Sequence, residues 1–164
     1  MNNFTKTLLA VALTLILPFT LSAQKPGFTK YKCMVQMTNY VGEAAYVVVS
    51  LINPKGGYEK TLYVMGPDKK WYTHIKEWHK FNSKKPVVNI SAVTGASVAG
   101  GDRSVTTFEI EDAKLNAGYK LRFETAVEDK EYHTKDIEIP LTTEGVSGKT
   151  EGTNYIRYVR FSAN

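Results

Sequence analysis

The chain has 164 residues, and its 21 Lys and Arg against 16 Asp and Glu give a formal net charge of +5 at pH 7. This excess is too small for the clustered positive charge of a nucleic-acid-binding protein. The single cysteine excludes an intrachain disulfide, and with it a small disulfide-stapled scaffold. The length is typical of one domain with its own core.

The first 23 residues have the composition of a secretory signal peptide. One lysine and no acid precede an apolar run at residues 8–17, Pro18 ends that run, and the small residue Ala23 closes the region. The run is shorter than the roughly 20 residues that span a bilayer. We therefore predict cleavage after Ala23. The mature chain, residues 24–164, is expected to form a single β-sandwich domain that does not span a membrane. Its predicted location is the periplasm, with secretion as the alternative.

Most of the mature chain shows the period of two that is typical of β-strands with one buried face. In residues 29–38 the side chains of Tyr31, Cys33, Val35 and Met37 alternate with polar ones, which predicts a buried packing thiol. The other predicted strands lie at residues 45–52, 61–65, 87–93, 105–110, 119–127, 132–139 and 155–161. About eight short strands predict an all-β fold, an immunoglobulin-like antiparallel β-sandwich, with a small barrel as the alternative.

The strand predicted at residues 119–127 is the clearest after the first. Leu121 and Phe123 alternate there with Arg122 and Glu124. This alternation indicates one face in the core and one polar face toward solvent.

One segment departs from the β pattern. Asp68 offers a helix cap, and Trp71, Ile75 and Trp78 follow it at helical spacing. The pattern predicts a short amphipathic helix around residues 69–82, lying across one end of the sandwich. The tryptophans either anchor this helix to the core or contact another molecule, so both are partner-binding candidates.

Residues that could carry catalysis or hold a metal form no recognisable pattern. His74 and His79 are five residues apart, which places them on different faces of a helix, and His133 lies in another element. The sequence has no nucleophile elbow, zinc-protease helix or Walker loop. A non-enzymatic protein without a metal is therefore favoured, and a small hydrolase is the weakest alternative.

Residues 89–102 run from an apolar segment into small residues and end at Asp102. The middle of the stretch is a hydroxyl-rich turn with little side-chain bulk, formed by Thr94, Gly95, Ala96 and Ser97. Small residues stand together where the backbone bends sharply or where another molecule approaches it closely. The stretch is thus either an ordinary loop or a contact site, and Asp102 is a further partner-binding candidate.

Three segments resemble the family called domain of unknown function 2271, a group of predicted periplasmic proteins. They are a strand pair, a tryptophan-bearing segment and the hydroxyl-rich turn with its approach, at residues 46–62, 70–78 and 91–97. Their order and spacing make residues 45–140 similar to that family. The resemblance implies an immunoglobulin-like fold and a periplasmic location.

The turn at residues 94–97 also resembles the flavinylation motif of exported redox proteins, such as the FMN-carrying subunits of sodium-pumping NADH:quinone reductases. In those proteins an FAD:protein FMN transferase attaches FMN through a phosphoester to the last hydroxyl of the motif, which is Ser97 here. The motif's leading Asp is Ser91 in this chain, and its terminal Thr is Ser97. The resemblance implies covalent FMN as the cofactor, with Trp71, Trp78 or a tyrosine near the flavin ring.

Two functions of different classes follow. The first is an exported binding or interaction module that holds a protein partner, such as a membrane redox protein or an iron-uptake transport protein. The second is a flavin-carrying extracytosolic redox protein with FMN on Ser97. The first is favoured, because a short Thr-Gly-Ala-Ser turn arises easily in any β protein.

Overall fold

The structure, a computed structural model, describes residues 27–87 and 89–163, so the predicted signal peptide and its cleavage site lie outside the described residues. No helix in these ranges is long and apolar enough to cross a membrane. The strands of the described ranges are β1 (Phe28–Met37), β2 (Tyr46–Ile52), β3 (Tyr58–Met65), β4 (Thr94–Gly95), β5 (Arg103–Glu111), β6 (Lys120–Ala126), β7 (His133–Pro140), β8 (Lys149–Glu151) and β9 (Ile156–Ala163). The helical elements are α1 (Lys76–Lys84) and 3₁₀ segments at Lys69–His74, Ile90–Val93 and Asp112–Lys114.

The strands form two sheets, which confirms the predicted all-β sandwich. One sheet has the strand order β5-β1-β9-β8, and the other has the order β4-β3-β2-β6-β7. Neighbouring strands are antiparallel, except that β3 and β4 pair in parallel over two residues. The very short strands β4 and β8 were not among the strands predicted from the sequence.

The two sheets enclose one apolar core between them. β1 contributes Tyr31, Cys33, Val35 and Met37 to this core, so the predicted alternation of this strand is confirmed. Burial raises the pKa of the Cys33 thiol, which keeps the sulfur protonated and unreactive.

The five-stranded sheet is buried on both of its faces. Alternate side chains of β2, such as Val47 and Val49, enter the core between the sheets. Val48 points the other way and joins a second apolar cluster with Tyr72 and Trp78. A strand that is apolar on both faces needs a cover on each side. The structure supplies the second cover with α1 and the 3₁₀ segment before it.

The predicted helix is present, but its expected placement is wrong. Asp68 caps the helical segment, since its side chain accepts the Lys70 backbone N–H at 3.1 Å. The 3₁₀ segment and α1 then meet at Ile75, whose backbone is not helical. The segment lies on the outer face of the five-stranded sheet and not across one end of the sandwich, because Val48 and its neighbours on that face need burial.

The prediction of a strand at residues 87–93 is also wrong. Val88 lies outside the described residues, and Ile90–Val93 forms a 3₁₀ turn. Ile90 packs against the second cluster, and the Thr94 hydroxyl donates to the Ile90 carbonyl oxygen at 2.7 Å. Ile90 therefore helps to cover a sheet, and the described part of this segment forms none of its strands.

We predict that the cover contributes strongly to stability. Trp78 is fully buried, and its indole N–H donates to the Thr61 hydroxyl at 2.9 Å. Trp78→Ala should therefore lower the free energy of unfolding by about 3–5 kcal/mol, as cavity-forming substitutions of large aromatic residues do. The half-buried Trp71 is the matched control, and Trp71→Ala should cost about 1 kcal/mol or less. Equal losses in urea unfolding would contradict this assignment.

Candidate functional site

A buried carboxylate lies between α1 and the five-stranded sheet. Glu124 of β6 is fully buried on the outer face of the sheet, so its predicted exposure to solvent is wrong. The hydroxyls of Tyr58 and Tyr132 donate to its two carboxylate oxygens. The backbone N–H of Trp78 donates to Oε2 at 3.3 Å. The donors to the carboxylate are thus one buried residue, Trp78, and two half-buried tyrosines.

This arrangement caps α1 from a distant part of the chain. The residue before the helix, Ile75, has no side chain that could cap it. The first N–H groups of a helix have no partner within the helix. The Glu77 N–H instead donates to the Tyr132 hydroxyl at 3.1 Å, and the Trp78 N–H donates to the Glu124 carboxylate. The sheet thus fixes where α1 begins.

Burial dominates the electrostatics of Glu124. Desolvation raises its pKa, although the bonds from Tyr132, Tyr58 and the Trp78 N–H, and the charge of Arg122, act in the opposite direction. The pKa values of Tyr58 and Tyr132 are also raised, first by burial and then by the carboxylate. Because no part of Glu124 reaches the surface, this group stabilises the fold and offers nothing to a ligand from solvent.

Arg122 extends the same buried layer. Its guanidinium Nε donates to the Glu138 carboxylate at 2.7 Å and lies 5.1 Å from the centre of the Tyr58 ring. The Tyr58 ring in turn stacks on Phe81 of α1, with 5.3 Å between ring centres. The polar side chains of β6 therefore form part of the contact between the helix and the sheet.

A surface pocket of about 190 Å³ opens beside this layer. We call it the Trp71 pocket, and its lining residues are Glu43, Ala44, Tyr46, Trp71, His74, Ser97, Ala126, Val127 and Glu128. It thus combines aromatic rings, two carboxylates, one imidazole and one serine.

The 3₁₀ segment supplies the aromatic wall of the Trp71 pocket. The His74 ring lies edge-on to the Trp71 ring, with 5.3 Å between the ring centres. The Lys70 ammonium lies 5.0 Å from the centre of the Trp71 ring and 3.1 Å from Asp68. Hydrogen bonds to the Lys70 backbone and side chain lower the pKa of Asp68, so this carboxylate stays charged. The cap of the helical segment thereby also orients the wall of the pocket.

Tyr40 holds the opposite wall in place. Its hydroxyl donates to the Val98 carbonyl oxygen at 2.8 Å and accepts the Ala45 N–H at 2.8 Å. Ala45 and Val98 also exchange two backbone hydrogen bonds, of 2.8 and 3.0 Å. These contacts join the chain before β2 to Val98, in the stretch of residues 89–102, and place the neighbouring Ser97 at the pocket.

The small residues of that stretch are explained largely by packing. A Cβ on Gly95 would lie 2.4 Å from the Tyr63 hydroxyl, and one on Gly100 would lie 2.1 Å from the Tyr40 carbonyl oxygen. Thr94 uses its hydroxyl in the bond to Ile90. Of the hydroxyl-rich turn, only Ser97 lines the pocket.

The structure thus brings together only some of the residues proposed from the sequence. Trp71 and Ser97 line the same pocket, whereas Thr94, Gly95 and Ala96 do not. Trp78 is fully buried and therefore not available to a partner on the surface. Asp102 is exposed just before β5 and does not line the pocket. Its carbonyl oxygen accepts the Met37 N–H at 2.9 Å.

Sequence reasoning missed both acids of the pocket. Glu43 precedes β2 and belongs to no periodic pattern, whereas Glu128 follows β6 and continues the polar positions of that strand's alternation. They approach each other because β2 and β6 are antiparallel, with Tyr46 opposite Ala126. A prediction that these two acids share a pocket would have required the correct pairing of β2 with β6.

A wider groove of about 660 Å³ continues from the Trp71 pocket. The two share His74, Ala126 and Val127, and the groove is also lined by Thr73, Lys76, Asp129, Lys130, Glu131 and Tyr132. In the part of the chain that the structure describes, no group of three or more His, Cys, Asp or Glu side chains is placed to hold a metal ion.

Comparison with known proteins identifies a family. The model of the family described as predicted periplasmic protein (DUF2271) matches residues 28–158, a longer range than the resemblance at residues 45–140. No curated protein and no solved structure matches the chain.

We predict that Glu124 makes stability depend on pH. Its pKa in the folded protein lies above the ordinary value of 4.5, so its contribution to stability is full below pH 4.5 and is lost as the pH rises through the folded pKa. In the Glu124→Gln variant the side chain at this position has no titratable group. The unfolding free energy of the wild type minus that of this variant should therefore fall with rising pH, by at most about 1.4 kcal/mol per pH unit.

Urea unfolding of both proteins between pH 4 and pH 8 measures this difference. Ser83→Ala removes an exposed hydroxyl and no titratable group, so it is the control, and its difference from the wild type should not change with pH. A difference for Glu124→Gln that stays constant, or rises with pH, would contradict the prediction.

Proposed function

We propose that this chain, which belongs to the DUF2271 family of predicted periplasmic proteins, is an exported, non-enzymatic binding module that holds a protein partner at the Trp71 pocket. The observation that carries this proposal is the pocket itself. It presents a half-buried tryptophan and a half-buried tyrosine at the surface, and aromatic residues of this kind are the common anchors of protein interfaces.

The geometry favours binding over catalysis. The pocket contains a hydroxyl and an imidazole, but no hydrogen bond joins Ser97 to His74 in the described part of the chain. A nucleophile and its base must approach within hydrogen-bond distance to act together. The buried acid, Glu124, is closed off from solvent.

Photocrosslinking in the cell envelope of the native host tests the proposal. A photoreactive phenylalanine analogue replaces Ala44, a half-buried residue of the pocket, and leaves Trp71 in place. We expect a discrete crosslinked species, whose partner is identified by mass spectrometry. The purified partner should then bind the Trp71→Ala variant about tenfold more weakly, as expected for an interface anchor.

The same analogue at position 105 is the control. Val105 is about half exposed and lies on β5, in the other sheet. Crosslinking of the same partner with equal yield from positions 44 and 105, or from neither, would argue against a binding site at the pocket. A partner whose affinity is unchanged by Trp71→Ala would do the same.

A flavin-carrying redox protein is the second candidate, and the position of Ser97 favours it. Its hydroxyl lines the pocket next to two aromatic residues, Tyr46 and Trp71, which could adjoin a flavin ring. FAD would supply the FMN: Ser97 Oγ would bond to the flavin-side phosphorus, the pyrophosphate bond would break, AMP would leave and the hydroxyl proton would pass to the transferase. Glu43 and Glu128 would repel the phosphate, which is why this function ranks second.

Intact-mass measurement after co-expression with an FAD:protein FMN transferase tests this second candidate. We expect the added FMN mass on the wild type and on Ser83→Ala, which removes an exposed hydroxyl outside the motif and is the matched control. Ser97→Ala should carry none. No added mass on the wild type, or an added mass that survives Ser97→Ala, would exclude FMN attachment at this residue.

A further inference from the structure

The Trp71 pocket is acidic, although the chain as a whole is positively charged. Its lining includes Glu43 and Glu128 but no lysine or arginine. Neither carboxylate forms an ion pair within the described part of the chain. The nearby Lys70 is paired with Asp68, so it does not offset their charge. The sign of the pocket is therefore a local feature, opposite to the net charge of +5.

The aromatic wall suits the same kind of ligand. A cation over the face of an aromatic ring is attracted by the ring's charge distribution, most strongly for tryptophan. The Trp71 ring already attracts one ammonium, that of Lys70, at 5.0 Å. Tyr46 gives the pocket a second aromatic ring beside its two carboxylates. A cation in the pocket would thus meet both kinds of group that stabilise it.

The volume of the pocket indicates the size of the ligand. About 190 Å³ is below the 300–1,000 Å³ typical of sites that enclose a small molecule. It is adequate for one long side chain. The adjoining groove of about 660 Å³ gives room for a flanking polypeptide, and its two lysines are balanced by Asp129 and Glu131. A side chain that protrudes from a second protein fits this combination better than a free small molecule.

We propose that the Trp71 pocket binds a cationic side chain, Arg or Lys, of the partner protein. This inference rests on the proposed binding function and adds the chemistry of recognition to it. Glu43 and Glu128 would neutralise the cation, Trp71 and Tyr46 would contact it, and the groove would take the neighbouring residues of the partner. Arginine is favoured over lysine because its planar guanidinium stacks on aromatic rings and is more weakly hydrated.

Nuclear magnetic resonance titration of the exported protein tests this inference without the partner. The probe is acetyl-Gly-Arg-Gly-amide, and the control peptide carries citrulline, the uncharged analogue of arginine. The chain has two tryptophans, and the buried indole of Trp78 is an internal control beside that of Trp71. At pH 8, where histidine is ordinarily neutral, the arginine peptide should shift the Trp71 indole signal at least five times as far as the citrulline peptide.

Charge variants make the test specific. The double variant Glu43→Gln and Glu128→Gln should weaken binding of the arginine peptide about tenfold. Glu109→Gln with Glu144→Gln removes two exposed acids that do not line the pocket and should leave binding within twofold of the wild type. An unchanged Trp78 indole signal shows that each variant is folded.

Three results with the peptides would overturn the inference. They are equal shifts from the arginine and citrulline peptides, no shift from either peptide at saturating concentration, and undiminished binding by the double variant. Tighter binding of tetramethylammonium than of the arginine peptide would assign the pocket to a free organic cation and would also overturn it. The photocrosslinking result does not depend on these titrations, so the binding function and its cationic ligand can fail separately.

Discussion

The structure depends on covering the outer face of the five-stranded sheet. β2 is apolar on both faces, so one sandwich core buries only half of its side chains. The 3₁₀ segment and α1 bury the other half, with Trp78 against Val48 and Val64. Burying an aliphatic side chain of this size contributes about 1.5–3 kcal/mol. The helical segment is therefore a structural layer of the fold and more than a connection between strands.

Glu124 determines how that layer is attached. A buried carboxylate is costly unless it is fully hydrogen-bonded. Here two phenol hydroxyls and one helix N–H satisfy it, and the start of α1 gains partners that the helix cannot provide. A carboxylate at a helix N-terminus is also favoured by the helix dipole. The same contacts fix the position of the preceding 3₁₀ segment, and with it the aromatic wall of the Trp71 pocket.

The pocket is thus a consequence of how the layers meet. Trp71 comes from the helical cover, Glu128 from the end of β6, Glu43 from the approach to β2, and Ser97 from the stretch tied to that approach by Tyr40. These residues are distant in the chain. Their common location is the observation on which the proposed binding function rests, and their charges are the reason for proposing a cationic partner group.

Much of the fold could be predicted from local patterns. The alternation of Tyr31, Cys33, Val35 and Met37 determined the buried face of β1, because a strand points successive side chains to opposite faces. The helical spacing of Trp71, Ile75 and Trp78 likewise indicated a helix after the Asp68 cap. The family could also be assigned from segments whose order and spacing the chain retains, and the family match confirms it.

Only the tertiary structure decided what these elements cover and which residues meet. The alternation of Arg122 and Glu124 with apolar residues predicted a solvated face, yet a helix far away in the sequence buries it. Residues 87–93 had the composition of a strand, but Ile90 is needed as cover for the sheet. Glu43 belongs to no periodic pattern, and the alternation that includes Glu128 does not show that the two acids line one pocket. The sequence by itself therefore determined most of the elements and the family. The pocket, in contrast, was created by the long-range pairing of β2 with β6 and by the position of the helix. The reason is that side-chain periodicity shows which face of an element is buried but not which partner buries it.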